Sequence, residues 1–324
     1  MERDGFVSIV VPMFNSENTI QAALRSLSEQ NHPHEIIVVD GGSSDRTLSL
    51  LGSDARVSVA KGNQAVAMNT GINLARGSLV AFVDSDCIAP RGWLERMVNV
   101  LKQEKAAAVF GGNTVRPDDP LISRLTWRIM GSLLGSGGTI HARTFNHPRS
   151  IEHVPSYNAL YVRQVLLDLG GFDEELGGAE DVEIGKRLLR GGYRMVYAPG
   201  GEVWHKGRDN LTSFWRQMRG FGWSKGRLFR RDISHLRLVH LSPLILALIT
   251  LILTINFPLT PFLILLILIG YGIKFSIVER DISALPLTPA IFVVLIFGWS
   301  FGLLESLQRG ANPKDRIQGY SKDI

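Results

Sequence analysis

The stretch LVAFVDSD, residues 79–86, decides the fold class of this 324-residue chain. Five apolar residues end in two carboxylates that flank a serine. A short, continuously apolar run of this kind is typical of a parallel strand that is covered on both faces. Two similar runs occur earlier, at residues 8–11 and 35–39. The three runs therefore predict strands of one sheet.

Helical patterns lie between these runs. An apolar face that begins at Ile20 predicts a helix after the first run, with Ser16 as its N-cap. A second helix, which carries Ile72, is predicted to end at Gly77. Alternating strands and helices build an open α/β sheet with right-handed crossovers. Because ligands of such sheets bind beyond the carboxyl ends of the strands, the residues that follow each run are candidates for chemistry.

Apolar residues are concentrated in the last third of the chain. Residues 241–278 contain one charged residue, Lys274, and residues 282–308 contain only Glu305. An apolar helix of about 20 residues spans a hydrocarbon core of about 30 Å. A buried soluble core is the alternative, but its helices would carry a polar stripe, which these segments lack. We therefore expect a membrane region, 239–308, with two to three hydrophobic helices in the segments 239–257, 259–278 and 288–307.

The number of membrane crossings stays open at this stage. The positive-inside rule puts the basic residues before Leu238 in the cytosol, together with the globular part. Three full crossings would then put Arg309 and Lys314, in the polar tail, on the far side. The third segment, which contains Gly298 and Glu305, is either a span or a re-entrant or interfacial element.

A basic segment precedes the membrane region. Residues 206–237 contain nine Lys or Arg and two Asp, interleaved with aromatic residues. Nucleic acid is one partner that such a segment could have. Because an apolar segment follows directly, an amphipathic interfacial helix beside anionic head groups is the more economical interpretation. We therefore expect a membrane partner and no nucleic acid.

Polar sequences follow each of the three predicted strands. They are PMFNSE at 12–17, DGGSSDRT at 40–47 and DSD at 84–86. Over about residues 6–230 this order resembles the family 2 glycosyltransferases, enzymes of the GT-A fold that use nucleotide-diphosphate sugars. The resemblance implies an open mixed sheet with flanking helices, and a membrane-anchored member of that family.

The matched motifs imply a donor site. The family's P-x-[YF]-N-x-E opening, its VDDGSSDGT stretch and its A-R-N-x-G segment all have counterparts in the chain. Gly41 stands where the second Asp of VDDGSSDGT is usual, and Met68 stands where Arg or Lys is usual. The residues that the resemblance assigns to the nucleotide sugar are Pro12, Phe14, Asn15, Glu17, Asp40, Asn69, Asp84 and Ser85.

Three of the carboxylates suit a nucleotide site on physical grounds. Asp40, at a strand end before a glycine-rich turn, can accept hydrogen bonds from a ribose hydroxyl or a base N–H. The alternative is that it only forms the turn. Asp84 and Asp86 would repel each other unless a cation neutralises them, and Mg²⁺ or Mn²⁺ suits such oxygen ligands. Asp86 is the leading metal ligand, whereas Asp84 with Ser85 is expected to face the ribose.

A second motif lies at residues 171–183, where GGFDE is followed by an acidic pair. In the family this pattern marks the acceptor side, and the resemblance implies that Asp181 is the catalytic base of an inverting enzyme, with Glu180 beside it. The spacing predicts a helix that begins near Glu180 and ends at Gly191. The helix dipole would hold both carboxylates ionised. The alternative is that they are only favourable helix N-terminal charges.

Two single residues complete the candidate site. His205, in the segment VWHK, resembles a family histidine near the metal or the diphosphate, so it is a possible third metal ligand or else a structural histidine. Cys87 is the sole cysteine, which excludes an internal disulfide and a Cys-rich metal site. Cys87 itself is expected to be a small packed side chain.

These observations predict a metal-dependent, membrane-anchored inverting glycosyltransferase. Its donor would be a nucleotide-diphosphate sugar, and its acceptor a hydroxyl of a lipid-linked glycan or glycolipid. A polyprenyl-phosphate sugar synthase and a non-catalytic nucleotide-sugar-binding scaffold are the alternatives. The predicted domains are a catalytic domain (1–205) with a donor half (1–115) and an acceptor half (116–205), an interfacial segment (206–238), the membrane region and a tail (309–324).

Overall fold

The computed structural model describes residues 3–52, 55–136 and 142–308, which form two compact units. The first unit, here called the catalytic unit, contains the chain up to Thr114 and residues 143–205. The second, here called the helical unit, contains the described residues of 115–142 and residues 206–308. Residues 115–136, which the sequence assigned to the acceptor half, thus group with the helical unit.

The strands all belong to the catalytic unit, and the helices are divided between the two units. The strands are β1 Arg3–Met13, β2 His34–Asp40, β3 Arg56–Val59, β4 Gly77–Val83, β5 Cys87–Ile88, β6 Ala108–Phe110, β7 Asn113–Thr114, β8 Arg149–Ser150, β9 Asn158–Val162, β10 Met195–Tyr197 and β11 Val203–His205. The helices are α1 Ile20–Ser28, α2 Gln64–Leu74, α3 Trp93–Gln103, α4 Leu121–Gly131, α5 Leu133–Ser136, α6 Arg163–Asp168, α7 Glu180–Arg190, α8 Leu211–Arg231, α9 Leu238–Asn256, α10 Thr260–Glu279 and α11 Ala284–Gln308.

The main sheet is open and mixed. Among the described residues it has eight strands in the order β3-β2-β1-β4-β9-β6-β10-β8. β1 pairs in parallel with both β2 and β4, so the three predicted strands are neighbours, as expected. β9 runs antiparallel between β4 and β6. The predicted class, a mixed α/β sheet with flanking helices, is confirmed.

The central strands are buried because helices cover both faces of the sheet. Val10, Ile37 and Phe82 are fully buried and occupy matched positions of the three neighbouring strands. α2 packs so closely on β1 that a Cβ added to Gly71 would lie 2.3 Å from a methyl carbon of Val10. The apolar runs of the sequence therefore mark the core correctly.

Two predicted helix ends are wrong. Helix α1 begins at Ile20 after Thr19, and the carbonyl of Ser16, not its hydroxyl, accepts hydrogen bonds from the N–H groups of these two residues. Helix α2 ends at Leu74 with Ala75 in extended conformation, and Gly77 starts β4. Gly77 lies where a Cβ would be 2.5 Å from the Phe6 carbonyl oxygen, so close strand packing explains this glycine.

A second, small sheet has the order β5-β11-β7. β11 pairs antiparallel with β5, which sets His205 opposite Cys87. β11 also pairs in parallel with β7. This sheet brings the segment around residue 205 beside the end of β4, although more than a hundred residues separate them in the chain.

The helical unit contains the three predicted apolar helices. By length and composition α9, α10 and α11 can each cross a membrane, with mean hydropathies of 2.4, 2.2 and 2.1. A turn at residues 257–259 joins α9 to α10. The basic segment forms the long helix α8. The tail, 309–324, lies outside the described residues.

Candidate active site

Three loops that follow parallel strands meet at one edge of the main sheet. Met13 at the end of β1 lies opposite Asp40 at the end of β2. The hydroxyls of Ser16 and Ser85 lie 2.7 Å apart and join the loop after β1 to the loop after β4. The main-chain N–H of Asn15 donates to the hydroxyl of Ser43 over 2.8 Å. The predicted donor-site residues are therefore brought to the same edge, as expected for strands that run in parallel.

Asp40 forms the turn that the alternative interpretation predicted. It is fully buried, and one of its oxygens accepts hydrogen bonds from the N–H groups of Gly42 and Ser43, both over 3.0 Å. The other oxygen accepts from the Ser43 hydroxyl over 2.5 Å. Asp40 thus shapes the loop after β2, and a contact with the nucleotide would come in addition to this role.

The residues of the first motif differ in accessibility. Pro12 is buried within β1. Phe14 is 37% exposed. The side chain of Asn15 accepts a hydrogen bond from the Ser44 N–H over 2.9 Å. Glu17 accepts from Arg46 over 3.2 Å and so fastens the two loops together. Donor contacts of Pro12, Phe14, Asn15 and Glu17 all stay predictions.

The two departures from the family pattern have different consequences. A Cβ at Gly41 would have its nearest neighbour, the Met13 carbonyl oxygen, at 3.5 Å, so a side chain is sterically possible there. Met68 is fully buried in the face of α2 that packs on the sheet. The side chain at position 68 is therefore part of the core.

Asn69 holds the acceptor-side loop. Its side-chain oxygen accepts a hydrogen bond from the Phe172 N–H over 2.8 Å, and its amide donates to the Phe172 carbonyl over 2.9 Å. The same amide donates to a Glu174 carboxylate oxygen over 2.8 Å. A Cβ on Gly171 would lie 2.5 Å from the Asn69 oxygen, which explains the glycine at 171. Asn69 therefore positions the loop with both ends of its amide, and a sugar contact stays a prediction.

The carboxylates of the DSD segment have separate partners. The side-chain amide of Gln64 donates to Asp84 over 3.1 Å. One oxygen of Asp86 lies 3.2 Å from Nε2 of His205. The ring of Tyr157 packs on the His205 imidazole with centroids 4.9 Å apart, and the Tyr157 hydroxyl donates to Asn113. His205 and Asp86 therefore form an oriented pair beside Asp84.

The donor atoms at this pair fit a hard divalent cation. Ligand atoms of Asp86, Cys87 and His205 lie within 4.8 Å of one another. Burial, and then the charges of Asp86 and Asp84, raise the pKa of the Cys87 thiol well above its ordinary value. Mn²⁺ and Mg²⁺ are hard cations that prefer oxygen ligands, so the Asp86 carboxylate with the His205 imidazole suits them better than the thiol does.

The acidic pair begins helix α7, as predicted. Gly177, Gly178 and Ala179 before it have positive φ angles of 58°, 131° and 62°. This left-handed stretch turns the chain sharply into Glu180. Asp181 is partly exposed, and one of its oxygens accepts a hydrogen bond from the Val182 N–H over 2.8 Å. Asp181 is thus available to solvent and to an incoming group.

Glu180 departs from the expectation that the helix dipole holds it ionised. It is only 5% exposed. Burial, followed by the charge of Asp181, raises the pKa of Glu180 from 4.5 to about 7. The cost of desolvating the carboxylate outweighs the dipole. The charge of Asp84 acts in the same direction, so the donor-side and acceptor-side carboxylates share one electrostatic environment.

Sequence reasoning did not find three residues that support the site. These are Gln64, Tyr157 and Asn158. Asn158 is fully buried, its amide donates to the carbonyls of Gly112 and Gly201, and it accepts from the Trp93 indole N–H. It begins an apolar run at residues 158–162, which is the only signal in the sequence. The partners are distant in the chain, so their pairing could not be read from spacing.

An open mixed sheet with flanking helices and an acidic segment directly after its strand β4 is the arrangement of the GT-A fold. The family model described as Glycosyl transferase family 2 matches residues 8–170, half of the chain. The chain therefore belongs to glycosyl transferase family 2.

Known relatives agree with this assignment. The glycosyltransferase AglE of Haloferax volcanii is 30% identical over 212 residues, which are 60% of this chain and 64% of that protein. The chain thus spans less than two thirds of that relative. A second relative, from Methanococcus voltae, is 22% identical over 94% of this chain and 98% of its own length. It is named dolichyl N-acetyl-alpha-D-glucosaminyl phosphate 3-beta-D-2,3-diacetamido-2,3-dideoxy-beta-D-glucuronosyltransferase.

A solved structure shares the fold. It is the mannosyltransferase PcManGT from Pyrobaculum calidifontis, in complex with GDP-Man and Mn²⁺. The TM-score is 0.61 at 20% identity, over 93% of this chain and 87% of that one. At this level of identity the likeness concerns the fold.

Proposed function

We propose that this protein is a membrane-anchored inverting glycosyltransferase. It transfers a sugar from a nucleotide-diphosphate donor to a hydroxyl of a membrane-associated acceptor, a lipid-linked glycan or a glycolipid. The proposal is carried by the electrostatic link between two groups of residues. Asp84 lies beside the Asp86–His205 pair, and its charge raises the pKa of Glu180, the neighbour of Asp181. A donor site and a base are both needed for transfer, and these two groups supply them.

The donor side holds the nucleotide sugar. Asp86, His205 and Asp84 would hold a divalent cation, Mn²⁺ or Mg²⁺, which neutralises the charge that develops on the leaving diphosphate. Gln64 fixes Asp84 through its hydrogen bond, and Tyr157 orients the His205 ring. The loops after β1 and β2 bind the nucleoside with Asn15, Glu17 and Asp40 as the nearest polar groups. The complex of PcManGT with GDP-Man and Mn²⁺, on the same fold, supports this assignment.

The acceptor side removes a proton. Asp181 accepts the proton of the acceptor hydroxyl, and the oxygen then attacks the anomeric carbon opposite the leaving diphosphate, which inverts the configuration. Because burial raises the pKa of Glu180 to about 7, Glu180 carries a proton below that pH. One carboxylate thus acts as the base while its buried neighbour limits the local negative charge.

The presence of a base favours a hydroxyl acceptor. Polyprenyl phosphate is already an anion near neutral pH and needs no base, whereas a hydroxyl does. The name of the Methanococcus voltae relative gives it a lipid-linked sugar as acceptor, and that relative matches nearly the whole chain. The apolar helices α9 and α10 would keep such an acceptor and the enzyme in the same bilayer. The catalytic unit is proposed to lie on the cytosolic side, where the basic helix α8 belongs by the positive-inside rule.

A screen of labelled nucleotide sugars tests the proposal. Membranes that contain the protein are incubated with each donor, and the lipid-linked products are extracted and analysed. We expect one donor to label a glycan or glycolipid through a hydroxyl, with loss of transfer in chelator and recovery with added Mn²⁺ or Mg²⁺. A sugar linked directly to polyprenyl phosphate as the sole product would overturn the acceptor class. Failure to hydrolyse or transfer any donor would favour a non-catalytic scaffold, and transfer that resists chelator would overturn the metal.

A further inference from the structure

The third apolar helix, α11, packs along the basic helix α8 in the helical unit. A Cβ added to Gly302 of α11 would lie 1.9 Å from the carbonyl oxygen of Arg219 in α8. A Cβ added to Gly226 of α8 would lie 2.7 Å from Cβ of Ser306 in α11. The two backbones are therefore in direct contact. Arg219 of α8 meets Gly302 of α11, and the later residue Gly226 meets the later residue Ser306. The two helices therefore run in the same direction, and their contacting segments lie at the same depth relative to the membrane.

Helix α8 cannot lie in the hydrocarbon core. Its sequence carries no acidic residue and six basic ones, at positions 216, 219, 225, 227, 230 and 231. Each Lys or Arg at the centre of a membrane helix costs about 2.5 to 3.5 kcal/mol, even on the most lenient scale. Of these, Arg219 pairs with Glu305 of α11 over 2.8 Å. The partner helix α11 must therefore share the level of α8, outside the core.

The contact between α11 and α9 points to the same level. The indole N–H of Trp299 donates to the carbonyl of His240 over 2.9 Å. His240 lies in the first turn of α9, which begins at Leu238 and must enter the membrane on the side of α8. If α11 crossed the membrane from Ala284, Trp299 would lie about 22 Å deeper than the start of the helix. Its contact with the first turn of α9 excludes that depth.

The contacts with α10 show the direction of α11. A Cβ on Gly272 of α10 would lie 2.7 Å from the Leu285 carbonyl oxygen. The rings of Tyr271 and Phe292 lie 5.7 Å apart. The stretch of α11 from Leu285 to Phe292 thus contacts a single turn of α10. If the two helices crossed the membrane side by side, contacts this far apart on α11 would also lie far apart on α10. The axis of α11 therefore crosses the axis of α10 at a steep angle.

α11 has an exposed apolar face that borders α8 at Phe301, whose ring centroid lies 5.6 Å from the guanidinium carbon of Arg219. Val293, Phe297, Phe301 and Leu304 recur at helical spacing and are 49%, 54%, 53% and 41% exposed. α11 and α8 together have the two faces that a single amphipathic interfacial helix has, one apolar and one strongly basic. The basic face complements anionic lipid head groups, and the apolar face continues directly from the membrane helix α10.

We propose that α8 and α11 form an interfacial platform that lies in the plane of the membrane and binds an anionic lipid surface. Only α9 and α10 cross the membrane. We call the side of the membrane on which α8 lies the near side, and the opposite side the far side. In this arrangement α11 ends on the near side.

Single-cysteine labelling tests the topology. Gln308→Cys reports on the end of α11. Ile233→Cys reports on the near side, and Phe257→Cys, in the α9–α10 turn, reports on the far side. The unmodified chain is the control for the buried Cys87. A membrane-impermeant maleimide is added to sealed vesicles before or after detergent. We expect Gln308→Cys to react from the same side as Ile233→Cys and from the side opposite to Phe257→Cys. Reaction of Gln308→Cys together with Phe257→Cys, or only after detergent when Ile233→Cys reacts without it, would overturn the proposal.

Fluorescence depth measurements test the lipid contact itself. An environment-sensitive dye is attached to cysteines placed singly at 293, 297, 301 and 304, in vesicles of anionic lipids that carry quenchers at defined depths. A helix in the plane of the membrane places all four dyes at one shallow depth. A crossing helix would spread them over about 16 Å, which would contradict the proposal. Dyes that no lipid quencher reaches would also contradict it, because a protein would then cover this face.

Discussion

At the scale of single residues, two adjacent carboxylates have unequal environments. Glu180 and Asp181 follow each other in the first turn of α7, so their side chains point about 100° apart around the helix axis. Glu180 faces the interior and Asp181 faces outward. Unequal solvation of two neighbouring acids separates the conditions under which each is charged. The proposed division of roles, with Asp181 as the base, follows from this difference in burial.

Replacement of the proposed base tests that division. We expect Asp181→Asn to lower the transfer rate by about 10²- to 10⁴-fold, the usual contribution of a general base, and to leave donor affinity nearly unchanged. Steady-state kinetics and donor titration measure the two quantities separately. Asp168→Asn, at the exposed end of α6, is the matched control. Near-native transfer by Asp181→Asn would show that another group accepts the proton.

Glu180 makes stability depend on pH in a defined direction. Its pKa is about 7 in the folded chain and near the ordinary value of 4.5 in the unfolded chain. Between these values the folded state holds a proton that the unfolded state has lost, so stability falls as pH rises and is level above about pH 7. Glu180→Gln should therefore raise the free energy of unfolding above pH 7 by roughly a few kcal/mol, and should leave it unchanged near pH 4.5.

Thermal unfolding of the detergent-solubilised protein across this pH range measures the effect. Glu95→Gln, an exposed glutamate in the first turn of α3, is the control and should show no such gain. If Glu180→Gln gave the same change in the unfolding midpoint at every pH, the buried carboxyl would not be the titrating group.

At the scale of helices and strands, the parts that the sequence predicted depend on local pattern. The strands at 35–39 and 79–83 were found because a doubly covered strand is almost entirely apolar, and α7 was found because its acidic first turn and Gly191 mark its two ends. Pairing between distant segments has no such local mark. The His205–Asp86 contact depends on β11 beside β5, and the burial of Glu180 depends on packing around α7.

The close approach of α2 to β1 gives a prediction at this scale. In Gly71→Ala the new Cβ would lie 2.3 Å from a Val10 methyl carbon, so the helix and strand must separate. We expect a loss of about 1 to 3 kcal/mol of stability, the usual cost of overpacking a core. Gly220→Ala, in α8, meets nothing within 4 Å and should be neutral or slightly stabilising. The unfolding midpoints of Gly71→Ala and Gly220→Ala measure this difference in stability. Equal midpoints would contradict the close packing of α2 on β1.

At the scale of the whole molecule, the described part of the chain enters the helical unit twice. It leaves the catalytic unit after Thr114, forms α4 within the helical unit, and is back in the catalytic unit at Arg143 before the second entry at Lys206. Inside the helical unit, Glu279 at the end of α10 is nearly buried, and it pairs with Arg124 over 2.7 Å and with Arg128 of α4. Helix α4, which lies in the sequence between two parts of the catalytic unit, is thus ion-paired with the predicted membrane helix α10.

Removal of the shared carboxylate tests how much this fastening contributes. Glu279→Ala leaves two guanidinium groups without their buried partner, and breaking such a pair costs about 3 to 5 kcal/mol. We expect earlier thermal unfolding and faster proteolysis within residues 115–142, because α4 loses its anchor on α10. Glu104→Gln, which removes the more exposed pair with Arg194, should change neither by more than the ~1 kcal/mol typical of surface pairs. If both variants behaved alike, α4 would be held by its apolar contacts, and the Glu279 pairs would add no stability.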